Sequence, residues 1–263
     1  MSGAETTPTN QSTSLGYMRR SPAGIFLTVL TLIAAFLWWL VRLPLFALAG
    51  ITVRGDVEHH NAVTVRANVA PKLQGNFFTV DLNHARQVFE GLPWVRHALV
   101  QREFPNRLRV VLQAHNPVAY WGGEGEGRLV NAQGEVFEAN AGDLDDEKMP
   151  RLNGPDSQSQ QVLAMYRALA PVFKELSLAL DSLELTGRGS WRARVAHGAV
   201  IELGRGSVED VMVRMRRMAT TLVQVTQKLG RKVSAMESAD LRHDNGYAIR
   251  LRGVSTMDVP AKR

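Results

Sequence analysis

Cysteine is absent from the 263 residues, which excludes a disulfide framework and thiolate chemistry. A phosphate loop is missing too. "LGRGSVED" puts glycines before a helix start, but it lacks both G-x-x-x-x-G-K-[ST] and the third glycine of G-x-G-x-x-G, so it reads as a turn and a helix cap. Ser190 stands outside any G-x-S-x-G context. Asp143, Asp145, Asp146 and Glu147 lack the central glycine and distal glutamate of a calcium loop. His59 and His60, near Asp56 and Glu58, read as a solvated loop rather than a zinc site. No carboxylate pair is spaced as an acid/base couple. Catalysis, cofactor and metal are therefore not expected. Acidic residues are the scarcer charge, 25 against 31 basic, for a net charge of +6. That balance fits nucleic acid, anionic lipid or an acidic protein partner. At 45% hydrophobic the chain has enough apolar material for a core.

One charge-free run narrows those choices. "AGIFLTVLTLIAAFLWWLV" extends from Ala23 to Val41, preceded by Arg19 and Arg20 and followed by Arg42. At about 1.5 Å per residue it matches a hydrocarbon core, and a helix satisfies its backbone groups there. Trp38 and Trp39 lie where indoles favour the membrane interface, and Pro44 ends or kinks the helix. "ALA" at 47–49 resembles a signal cleavage site, but the apolar run is too long for a signal peptide, and Arg42 and Pro44 intervene. A buried core helix would show a polar face, which this run lacks. Arg19 and Arg20 keep the leading segment cytoplasmic. The bulk of the chain is then exported, which argues against nucleic acid as a partner. Residues 1–22 read as a disordered cytoplasmic tail and 23–44 as a single transmembrane helix.

Residues 45–117 give a β-α-α-β-β order. "ITVRG" is a strand and turn, and "AVTVRANVAPKLQG" a short helix. "DLNHARQVFEGL" is a second helix, with Asp81 as N-cap and Leu82, Ala85, Val88 and Phe89 on one face. Two strands follow, turning at Pro105-Asn106, with Leu108, Val110, Leu112 and Ala114 on one face. Residues 118–253 contain short strands at "VAYW", "RLVNA" and "GEVFEA", then a helix that Pro171 bends or interrupts. Three strands lead to a helix capped by Ser207 and Asp210. A last hairpin turns at Asp244-Asn245-Gly246. Runs of strands and helices without βαβ regularity predict the α+β class. Residues 254–263 form a tail.

These residues resemble the FtsQ family of bacterial division proteins. "ITVRG", "LPWVRHALVQREFPNRLRVVLQAHNPVAYW", "LVNAQGEVF", "MPRLNGP", "SWRARVAHGAVIELGRG" and "ADLRHDNGYAIRL" occur in the family's order, over about residues 19–252. The resemblance implies a non-enzymatic, bitopic inner-membrane scaffold enriched at the division septum. Its POTRA domain would cover 45–117 and its β domain 118–253. Its partners would be FtsB and FtsL at the β-domain edge strand, and other divisome proteins through the POTRA and transmembrane segments. It would support the septal synthase FtsW–FtsI. Arg242, His243, Asn245, Tyr247 and Ile249 would face the partner. The family's second basic contact precedes "SW", where Gly189 stands and Arg188 is one residue earlier. Arg19, Arg20, Trp38, Trp39 and Arg42 would mark the membrane interface. The alternative is a POTRA-type docking module for exported proteins, although this chain has one such block and no barrel.

Overall fold

The structure, a computed structural model, describes residues 22–41, 46–55, 67–139, 149–243 and 245–254. The expectations for both tails, Arg19, Arg20, Arg42, His59-His60, the acidic run and the start of the first short helix lie outside those residues. Helix α1 spans Pro22–Val41 and bears exposed apolar side chains between Ile25 and Trp39. Among the described residues no helix is long and apolar enough to cross a membrane.

The first unit holds strand β1 (Gly50–Gly55), a 3-10 turn at Ala70–Lys72, helix α2 (Leu82–Glu90) and strands β2 (Val95–Glu103) and β3 (Arg107–Ala114). Asp81 caps α2 by accepting from the Asn83 and His84 amides at 2.8 and 3.1 Å. The expected face of α2 is seen: Ala85 and Phe89 are buried, and Leu82 and Val88 pack beside them. The sheet order is β1-β3-β2, with β1 parallel to β3. The central strand alternates as its sequence requires: Leu108, Val110 and Leu112 are buried and Val111 is exposed.

The second unit is a nine-stranded sheet. Its strands are β4 (Pro117–Trp121), β5 (Arg128–Asn131), β6 (Val136–Glu138), β7 (Arg151–Asn153), β8 (Leu180–Leu185), β9 (Ser190–Val195), β10 (Val200–Arg205), β11 (Met236–Asp240) and β12 (Ala248–Leu251). The order is β12-β11-β10-β9-β8-β7-β4-β5-β6. Helix α3 (Ser159–Glu175) connects β7 to β8, and helix α4 (Val208–Lys228) connects β10 to β11. Both pairs are parallel and adjacent. Two βαβ units are thus embedded in an antiparallel-rich sheet, which corrects the expectation that none is present. The class remains α+β. The helices bury Val162, Met165, Phe173, Val211, Met215 and Met218 against Leu183, Trp191, Ile201 and Leu203 of the sheet.

Two further expectations change. Helix α3 runs unbroken through Pro171. Leu169, Val172 and Phe173 are buried around it, so packing outweighs the lost N–H bond. The last hairpin is looser than a two-residue turn: β11 stops at Asp240 and β12 starts at Ala248. The Arg242 amide turns back on the Asp240 carboxylate at 3.0 Å. This local bond diverts the chain from the ladder. Tyr247 instead reaches α4, with its hydroxyl 2.7 Å from that of Thr221.

The units meet at a polar-apolar joint. Trp94, from "LPWV", is buried beside Leu129 and Ala139, and Phe137 packs on it. Its left-handed φ of 66° is held where the Trp94 carbonyl accepts the His115 amide at 2.7 Å. Arg96 grips Glu135 at 2.6 and 3.0 Å, and the Asn131 amide donates to Glu135 at 2.7 Å. Because Asn131 Oδ1 accepts two backbone amides, its nitrogen is the group facing His115 Nδ1 at 2.9 Å. Neutral His115 with its proton on Nε2 satisfies that geometry. Burial pushes the His115 pKa down.

Arg96, followed by the Asn131 bond, holds the Glu135 carboxyl at about 2. A depressed carboxyl pKa adds stability that is full above the unfolded value and lost as pH falls through the folded one. For Glu135 that window runs from 4.5 down to about 2. Burial of neutral His115 adds stability that is lost as pH falls below 6.5. The Glu135 side chain is 40% exposed, which limits the pair to about 1 kcal/mol. Glu135→Gln should flatten the fall of Tm between pH 5 and pH 3, as read by scanning calorimetry. An unchanged pH profile would count against the joint.

Candidate interaction surface at the last strands

Strand β12 ends the sheet order and pairs only with β11 among the described residues. One side of its backbone ladder is therefore open. Arg252 N–H donates inward to Ala235 O at 2.9 Å. Alternation along an antiparallel strand then turns the Arg250 and Ala248 amides inward and the Ile249 amide outward.

The registers lay two rows across the sheet. Leu183, Ala193, Ile201, Ala239 and Ile249 are cross-strand neighbours from β8 to β12. The first four are buried core residues, and Ile249 packs partly buried at the end of the same core. Its side chain therefore looks toward the helices, and its backbone forms the edge. The polar row on the other face is Glu184, Arg192, Glu202, Asp240 and Ala248. Arg192 bridges both neighbours, at 2.7 Å to Glu202 and 3.6 Å to Glu184.

Beside that row lies a basic hollow of about 560 Å³, lined by Arg188, Arg192, Arg205, Arg214 and Arg242 with Glu202 as its one acid. Arg188 comes from the turn after β8 and Arg242 from the segment just after β11, so the fold brings these two residues to one hollow. Arg192, Arg205 and Arg214 were not expected from the sequence. The alternation in "SWRARV" could have shown Arg192 as outward-facing, but Arg214 is set only by how α4 packs. Gly204 keeps the hollow open: a Cβ there would sit 3.2 Å from the Arg242 side chain. A shallower hollow holds Glu202, Asp240, Ala248, Ile249 and Arg250. The two share Glu202, so basic hollow and strand edge are continuous.

Arg242 is fixed by Asp240 through contacts of 2.6, 2.9 and 3.1 Å. That guanidinium, before all other causes, holds the Asp240 carboxyl at about 2. The arginine remains more than half exposed, so it is oriented without being neutralised by burial. His243 and Asn245 are exposed beside it. Tyr247 is half-buried against the core with its hydroxyl bonded to α4. Removing the clamp by Asp240→Asn should release Arg242. The expected result is weaker acidic-peptide binding with a small loss of Tm above pH 4 that fades as pH falls toward 2, measured by fluorescence anisotropy and calorimetry.

Comparison with known proteins places these units. Residues 46–115 match the POTRA domain, FtsQ-type. Residues 119–242 match cell division protein FtsQ/DivIB, C-terminal. The chain is 43% identical over 229 residues to the cell division protein FtsQ of Burkholderia pseudomallei, covering 87% of this chain and 89% of that one. It is 39% identical to the cell division protein FtsQ of Thiomonas arsenitoxydans, covering 82% and 79%. It is 36% identical to the cell division protein FtsQ of Bordetella pertussis, covering 86% and 87%.

Proposed function

The chain belongs to the FtsQ family of cell division proteins, and from that premise we propose that it is a non-enzymatic, membrane-anchored scaffold of the divisome. Residues 23–44 anchor it in the inner membrane with its N-terminus cytoplasmic and its bulk periplasmic. The apolar run and its flanking arginines support that topology. The β domain receives FtsB, and with it FtsL, linking early division proteins to septal peptidoglycan synthesis. The observation that carries this reading is the open edge of β12 beside an arginine-lined hollow.

An added strand gains affinity from main-chain bonds to the edge and specificity from side chains beside it. Arg188, Arg242, His243, Asn245 and Tyr247 border the path, and Ile249 supplies backbone at the edge. An acidic residue of the partner finds Arg242 already oriented. Arg188 serves as the second basic contact, across the same hollow. The POTRA and transmembrane segments meet other divisome proteins.

The test is capture of purified FtsB–FtsL by the detergent-solubilised full chain. Arg242→Glu should weaken binding about tenfold, near 1.4 kcal/mol. Increasing salt should weaken wild type more than the variant. Equal affinity and equal salt slope in both proteins would remove Arg242 from the interface.

A further inference from the structure

We infer that the membrane-proximal end of the POTRA unit carries an aromatic foot that rests in the lipid interface. Outside α1, Phe78 and Phe104 are the exposed aromatic side chains among the described residues, at 47% and 79%. Both lie at one end of the unit. Phe46 packs on Phe78 with centroids 4.8 Å apart, Phe78 on Phe77 at 5.2 Å, and Phe77 on Phe104 at 6.3 Å. Rings from three separate segments thus form one continuous array.

The array is held in place by its backbone. Phe46 O accepts the Phe77 amide at 2.8 Å, and Ala49 N–H donates to Asn106 O at 2.9 Å. Asn76 Oδ1 accepts the Phe78 and Thr79 amides, both at 3.0 Å. Arg102 reaches from β2 to donate to Phe77 O at 2.7 Å and Val80 O at 2.9 Å. A loop bonded this fully could have turned Phe78 inward, yet the ring is presented to the outside. Apolar surface rigidly displayed in this way marks an interaction site.

Chain length identifies the occupant. Five chain steps, across the four residues 42–45, separate Val41, the last of α1, from Phe46. They reach at most about 18 Å when fully extended. The headgroup layer adds roughly 5–8 Å to each side of the hydrocarbon core. A tether this short leaves the foot able to reach the lipid surface. Its charges suit that surface: Arg107 and Lys72 are exposed nearby, while Glu103 is engaged by Arg109. Aromatic rings flanked by basic side chains match the chemistry of an interface carrying anionic headgroups.

This inference rests on the reading of α1 as a membrane anchor, and the test separates the two. The chain has no cysteine, so single cysteines can be labelled cleanly. The full chain is reconstituted into nanodiscs of phosphatidylethanolamine and phosphatidylglycerol. An environment-sensitive fluorophore is attached at Asn106→Cys, beside the foot, or at Ala34→Cys, within α1. Doxyl-labelled lipids report depth. The Ala34 label should be quenched by deep probes. The Asn106 label should be quenched about twofold by shallow probes, and that quenching should disappear when Phe78→Ser and Phe104→Ser are added. Quenching at Ala34 without quenching at Asn106, or quenching at Asn106 that survives both serines, overturns the foot alone. An unquenched Ala34 label overturns the anchor reading and the foot with it.

Discussion

Ile249→Pro is expected to weaken capture of FtsB–FtsL at least tenfold and to leave cells filamentous. The Ile249 amide points away from β11, by alternation from the inward Arg252 bond. Proline therefore deletes the donor offered to an incoming strand while sparing the ladder to β11. It is tolerated at edges for the same reason. Loss of one or two main-chain bonds, together with the steric bulk of the ring, should weaken binding by about 1.4–3 kcal/mol, tenfold to over a hundredfold. Ile249 is also partly buried at the end of the core, so the side-chain loss needs its own control. Ile249→Ala loses the packing and keeps the amide. If the edge is the binding element, alanine should retain most affinity and proline should not. Equal affinity in the two variants, with Tm values alike, would remove β12 from the interface.

The largest loss of stability is expected from Trp191→Ala. Trp191 is 1% exposed on β9, and its indole donates to Gly206 O at 3.2 Å, just before the α4 cap. The ring thus joins the sheet to the start of α4. Its deletion removes a large apolar volume and orphans the Gly206 carbonyl, at a cost of about 3–5 kcal/mol. Against a total stability of roughly 5–15 kcal/mol that is a large share. At about 3–5 °C per kcal/mol for a domain of this size, Tm should fall by about 10–20 °C in calorimetry. Low abundance in cells should follow. A fall of under about 3 °C would mean the core collapses into the space, contrary to the packing described.

Much of the fold was legible because its signals are local. Asp81 and the Ser207–Asp210 capping box announced two helix starts, and both caps form. Alternation marked β3, and three successive strands were read where β8–β10 form. The missed features are non-local. Strand β7 is three residues long and shows no period of its own. It forms because Leu152 is buried between β4 and β8. The Asn245-Gly246 pair suggested a tight turn, but the bond between Arg242 and Asp240 and the pull of Tyr247 toward α4 widened the connection.

The candidate site divides the same way. The sequence determined its chemistry: which residues carry charge, where the apolar run lies, and that a short strand follows an Arg-His pair. Local propensity and family-like motifs were enough for that. Tertiary structure decided the rest. It put β12 at the sheet edge, turned the Ile249 side chain to the core while leaving its amide outside, and gathered Arg188, Arg192, Arg205, Arg214 and Arg242 from three elements and two connecting segments around one hollow. Strand order and the convergence of distant side chains follow from burying one shared core against two helices, a minimum set by the whole chain and by no local stretch of it.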